Sequence, residues 1–213
     1  MLMPDQIIQL SRREEFQKRD SEPIYIWVMG MSGAGKTFVL AHLKEELQKR
    51  GTVGVFSDGE QLLREVRNDT RWEYHIRNKE GFLVTNTALD DLVYRELVVR
   101  AEAFEGDFFL IEVTRGKDLE GERDLSFSRL FRDIPTHLLS NSVFVYVHCP
   151  YDERVRRNQL RTENASTNSN YRKVNPVALR RFFQEDDFEE WKLTIKRPII
   201  ELDNSREDDE TSE

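Results

Sequence analysis

The stretch "GMSGAGKT", residues 30–37, follows directly on the apolar run "IYIWVM", residues 24–29, and constrains this chain more than any other feature. Gly30, Gly35, Lys36 and Thr37 satisfy the pattern G-x-x-x-x-G-K-[ST]. A run rich in β-branched and aromatic residues reads as a buried strand, and Val39, Leu40, Leu43 and Leu47 downstream keep helical spacing until Gly51. Glycines between a strand and a helix let backbone N–H groups turn inward around an anion. The helix that follows adds its own N-terminal amides and partial positive charge. The loop residues Gly30, Ser32, Gly33, Ala34, Gly35, Lys36, Thr37 and Phe38 are therefore expected to hold nucleotide phosphates. Lys36 reaches the terminal phosphates, and the Thr37 hydroxyl can ligate Mg²⁺.

The rest of the chain alternates strand-like and helix-like segments. "TVGVFS", "DFFLIEV" and "SVFVYVHC" are strands, "PIIELDNS" closes the series, and helical patterns separate them. This predicts an α/β fold of three layers, a parallel sheet of about five strands with helices on both faces. Ligands in such sheets sit at the carboxyl ends of the strands. "NDTRWEYHIRNKEGF" carries no clear pattern and is left unassigned.

Other strand ends supply further candidates. Glu112 closes "DFFLIE", where a carboxylate serves a cation and its waters; a half-exposed acid is the competing reading. Asp58 follows the second strand and is expected to take the proton of an acceptor hydroxyl or to orient the acceptor, with an ordinary helix cap as the alternative. Arg154, Arg157 and Arg161 fall at helical spacing after the fourth strand and read as cations for a moving phosphoryl group. Arginines between the second and fourth strands, among them Arg64, Arg67, Arg71, Arg77, Arg95, Arg115, Arg129 and Arg132, suggest an anionic acceptor.

Composition excludes less than it permits. The formal net charge is −8, and five acids against one arginine in residues 206–213 supply half of it. This balance makes nucleic acid an unexpected partner. No apolar run is long enough for a membrane helix. The single cysteine, Cys149, cannot form an internal disulfide and reads as a buried thiol in a reducing compartment, the cytoplasm by default.

With glycine loop, acid-ending strand and post-strand arginines in that order, the chain resembles the P-loop small-molecule kinases: nucleoside-monophosphate, adenylylsulfate, gluconate and shikimate kinases. The resemblance spans residues 24–205, and its specific motif is the loop. It implies ATP and Mg²⁺ as cofactors and transfer of the γ-phosphoryl group to a small anionic acceptor such as a nucleoside monophosphate. It also implies a kinase domain over 23–205 with a lid at about 152–190, after an amphipathic helix over 1–22 and before a disordered acidic tail over 206–213. Asp58 then matches the acid such kinases carry after the second strand, and Asn204 falls beside the adenine site. The D-G-x-P-R signature of adenylate kinases is absent, "IEVTRG" standing in its place. A motor or AAA-type ATPase brings an appended helical domain, for which the chain is short. A non-catalytic nucleotide sensor and a kinase acting on nucleic-acid ends, which the arginines permit and the net charge discourages, are the remaining alternatives, and the oligomeric state is open.

Overall fold

The protein is described by a computed structural model covering residues 22–79, 81–163 and 174–205, with the side chains of 78 and 161–163 also outside the description. The N-terminal helix and acidic tail expected from the sequence lie outside the described residues. Five parallel strands form the sheet in the order β2-β5-β1-β6-β7: β1 Ile24–Met29, β2 Val53–Ser57, β5 Phe108–Val113, β6 Ser142–His148 and β7 Ile199–Asp203. Every residue of β1 is buried, as a central parallel strand covered on both faces requires.

The two faces divide the apolar residues by strand alternation. Tyr25, Trp27 and Met29 join an aromatic core with Phe127, Phe131, Phe144 and Trp191. Ile24, Ile26 and Val28 meet the aliphatic side of α1, Lys36–Gln48, through Leu40, Leu43 and Leu47. Helices α2 (Asp58–Asn68), α3 (Ala88–Glu102), α4 (Phe127–Asp133), α5 (Thr136–Ser140), α6 (Tyr151–Glu163), α7 (Pro176–Phe182) and α8 (Phe188–Lys192) complete the layers.

Local chemistry sets the ends of these helices. Ser57 accepts the Glu60 N–H, so α2 begins at Asp58. Asn175 accepts the Val177 N–H with Pro176 at the first helical position, which sets the start of α7. The unassigned stretch contains an antiparallel hairpin of its own, β3 (His75–Asn78) with β4 (Gly81–Val84).

Candidate phosphoryl-transfer site

The carboxyl end of β1 turns abruptly at Gly30, whose φ is +143° and whose missing Cβ would stand 2.6 Å from the Val147 carbonyl oxygen. Gly35, at φ +99°, occupies the N-cap of α1 without a side-chain cap, and a Cβ there would strike the Asn204 amide nitrogen. Only glycine fits both places, which is why the loop can wind so tightly between β1 and α1. Lys36, 5 % exposed, donates from Nζ to the Met31 carbonyl oxygen at 2.9 Å. Ser32 and Gly33 are half-buried on the same loop, Ala34 is buried, and Thr37 and Phe38 are exposed.

Strand register brings the acids to this loop. Glu112 pairs across the sheet with Val28 on one side and Ser57 on the other. Its Oε1 accepts the Thr37 hydroxyl at 2.9 Å, and its Oε2 accepts the Ser57 hydroxyl at 2.9 Å. Thr37 and Glu112 thus stand together at the end of the sheet, and both carry the hard oxygen donors that Mg²⁺ takes. Ser57 was missed in the sequence because it reads there only as the last residue of a strand. Among the described residues no group of three or more His, Cys, Asp or Glu side chains forms a metal site, so a cation here would rest on few protein ligands.

Asp58 is 6 % exposed at the start of α2. Its Oδ2 accepts the Thr114 amide at 2.5 Å and Arg115 Nη1 at 3.2 Å, and its Oδ1 faces the Thr114 hydroxyl at 3.4 Å. Burial pushes the Asp58 carboxyl above the usual carboxylate range, while the charges of Arg115 and Lys36 pull against it. Asp58 and Lys36 therefore share one end of the sheet and sense each other's charge. Arg115 reaches outward from the same contact to the wall of a cleft between α3 and α4, with Asp90, Asp91, Tyr94, Asp124, Arg129 and Asp133 around it.

The arginines after β6 divide in a way that their spacing does not show. Arg154 is 1 % exposed and gives its guanidinium to the carbonyl oxygens of Cys149, Phe183 and Gln184, so it ties α6 to the segment after α7. This corrects the expectation that it binds the nucleotide, since its donors are spent on backbone. Arg157 lies behind the loop: Nη2 donates to the Asn204 carbonyl oxygen at 2.9 Å, and Nη1 sits 3.5 Å from the carbonyl oxygens of Gly33 and Ala34. Glu153, bonded to Arg156 and Arg157, is held down at a pKa of about 2. Arg161 belongs to α6, but its side chain lies outside the described residues. Asn204 donates from Nδ2 to the Ala34 carbonyl oxygen at 2.8 Å, and its backbone N–H bonds His148, so it fastens the end of β7 to the loop.

Three of the arginines between the second and fourth strands have acidic partners in the structure. Arg115 meets Asp58, Arg129 meets Asp91, and Arg132 meets Asp133. Cys149 is buried, and burial raises its thiol, in keeping with an inert structural role. No helix among the described residues is long and apolar enough to cross a membrane.

A family model described as "AAA domain" matches residues 29–174, from the end of β1 through α6. The chain belongs to the AAA domain family. The match covers the glycine-rich loop and the strands and helices that follow it, as far as residue 174. Solved structures share the fold at low identity. Kti12 from Chaetomium thermophilum in complex with ADP-AlF3 has a TM-score of 0.54 at 16 % identity, over 87 % of this chain and 91 % of that one. A Chloroflexus aurantiacus J-10-fl protein named provisionally as a kinase gives 0.52 at 13 % identity, over 86 % and 89 %. A gluconokinase from Sinorhizobium meliloti 1021 gives 0.48 at 15 % identity, over 86 % and 83 %. A comparison with curated proteins finds no match. This AAA domain has the parallel-sheet fold of the P-loop small-molecule kinases, with the nucleotide loop at the expected strand end.

Proposed function

We propose that this AAA domain transfers the γ-phosphoryl group of ATP to a hydroxyl of a small acceptor bound beside Asp58. The observation that carries the reading is the placement of Asp58, buried and bonded to Arg115, within the field of Lys36 at the end of the sheet. An ordinary helix cap does not need a buried carboxylate, since Ser57 already caps α2.

In this reading the loop between Gly30 and Thr37 cradles the phosphates, and Lys36 leaves Met31 to meet the terminal ones. Mg²⁺, with Thr37 as a ligand and Glu112 holding its waters, would neutralise charge that builds on the β- and γ-oxygens. Asp58 accepts the proton of the acceptor hydroxyl as the new O–P bond forms, and ADP leaves with the electrons of the broken bond. A carboxyl raised by burial is a better base for this step than one free in water. Arg157 and Asn204 keep the loop's outer carbonyls fixed, which supports nucleotide binding more than chemistry. The cleft beside Arg115 is mixed in charge, so the acceptor panel must span anionic and neutral compounds. One buried thiol fits the reducing cytoplasm.

The test is release of ADP from ATP and Mg²⁺ across nucleoside monophosphates, adenylylsulfate, sugar acids and neutral polyols, with Lys36→Ala as the control. Stimulation by one acceptor, lost in Asp58→Asn, is expected. Tight ATP binding with no stimulation by any compound would favour a nucleotide-sensing role instead.

A further inference from the structure

The turn that leads from α2 into the β3–β4 hairpin is built around one carboxylate. Asp69 Oδ1 accepts the Glu73 N–H at 3.1 Å, and Oδ2 accepts the Tyr74 N–H at 3.0 Å and lies 2.8 Å from His75 Nδ1. Both side chains of the Asp69–His75 pair are 4 % exposed. The result is a rigid turn that holds Trp72 at φ +59°. A bulky residue adopts the left-handed region only when its surroundings impose it, and such strain concentrates at functional positions.

What the strain achieves is the display of an indole. The Trp72 ring stacks on His75, with centroids 5.2 Å apart and planes 20° from parallel, yet the residue remains 54 % exposed. Trp27 and Trp191, at 0 and 2 %, are core residues. Ile76, on the strand's other face, is 53 % exposed as well, so the hairpin is poorly covered by the rest of the fold. His75 supports one face of the indole from below and leaves the other to solvent.

Several basic residues lie close to Trp72 in the sequence. The Arg71 side chain is 84 % exposed beside it, its contact with Glu73 a solvated one at 3.7 Å. Arg77 stands on the same strand face as His75, and Arg64, Arg67, Arg77 and Lys79 are exposed. From Arg64 to Glu80 the sequence places five basic and four acidic residues, and one of those acids, Asp69, is buried. The formal balance of this stretch is +1, in a chain of net charge −8. The whole-chain charge that speaks against a polyanion is therefore not the charge of this surface.

We propose that the turn from Asp69 to His75, together with Arg77 on β3, forms a docking surface for single-stranded nucleic acid, with Trp72 as the stacking platform for a base. Arg71 and Arg77 meet the flanking phosphates. The pairing of an aromatic face with guanidiniums is what single strands require, because their base faces are open while their backbone is anionic. A duplex hides those faces. The inference stands apart from the phosphotransfer reading and uses none of its residues.

Because the other two indoles are buried, the exposed part of the protein's tryptophan fluorescence belongs to Trp72. The full chain is titrated with oligouridine and oligothymidine, a duplex of matched length, and polyglutamate as a polyanion without bases. Quenching by the single strands, protection from acrylamide, and affinity that falls steeply with salt are expected. Trp72→Ala, followed by fluorescence anisotropy of a labelled oligouridine, should weaken binding roughly 5- to 150-fold, while Trp72→Phe retains most of it. Arg71→Glu should weaken binding in all sequences and flatten the salt dependence. ATP affinity should stay unchanged in all three, which also reports that they fold. Absence of binding at low salt, equal binding by duplex or polyglutamate, or wild-type affinity in Trp72→Ala would each overturn the proposal.

Discussion

Asp58 is the residue on which the chemistry turns, and its environment makes two measurements decisive. In Asp58→Asn the amide keeps the size but cannot take a proton, so acceptor-dependent turnover should fall by about 10²–10⁴, the usual contribution of a general base. ATP affinity, measured by calorimetry, should hold, because the loop is intact. The second measurement is pH. A base must be ionised, so turnover rises with pH through the Asp58 pKa, and burial places that limb above the ordinary carboxylate range. Arg115 opposes the burial; Arg115→Gln removes its charge and should shift the acid limb of the kcat profile to higher pH. A limb that stays in place, or moves down, would show that Arg115 does not act through Asp58. That Asp58, Glu112, Lys36 and Thr37 come to one end of the sheet was legible in the sequence, because each sits at a strand end or in the loop pattern. Arg115 as the partner of Asp58 was not, since nothing in "EVTRG" says which way a guanidinium after a strand will point.

At the scale of elements, α6 shows how far spacing can be trusted. Residues three and seven apart share a helix side, so Arg154, Arg157 and Arg161 read as one cluster. The protein uses Arg154 as an internal clamp on three carbonyls and Arg157 as a brace behind the loop. Sequence gives the helical face but not what packs against it, and the carbonyls of Phe183 and Gln184 arrive from a distant segment. The two roles predict opposite outcomes. Arg154→Met should lower unfolding free energy by roughly 2–4 kcal/mol in urea titration, because buried carbonyls lose charged donors, with ATP affinity of the folded protein largely kept. Arg157→Ala should raise the Kd for ATP several-fold with a smaller loss of stability, since it frees the carbonyls of Gly33, Ala34 and Asn204 to move. Equal effects of both variants on both readouts would remove the distinction. The β3–β4 hairpin was illegible for a different reason. Its order comes from Asp69 satisfying three groups at once, a tertiary arrangement with no periodic trace.

For the whole molecule, the sheet was legible because buried parallel strands must be apolar on both faces, and the runs that form β1, β5 and β6 are. The net charge was a poorer guide, since it averages an acidic tail with a basic hairpin. What unites the fold with the reading of its site is linkage: the loop is assembled from β1, α1, α6 and the end of β7, so a nucleotide bound there stabilises the entire domain. Asn204 and Arg157 carry that coupling, because they join the last strand and α6 to the loop's carbonyls. A ligand at about 100 times its Kd adds about 2.7 kcal/mol to stability. For a domain of this size that corresponds to a rise in melting temperature of about 5–10 °C. Mg²⁺ with ATP should therefore produce such a rise in calorimetry, ATP with chelator a smaller one, and Lys36→Ala little of either. Thr37→Ala should lose mainly the difference that Mg²⁺ makes, because it removes a cation ligand and leaves the loop's amides in place. An equal shift in wild type and Lys36→Ala would mean that the nucleotide binds elsewhere, and the roles given to Glu112 and Asp58 would have no phosphate to act upon.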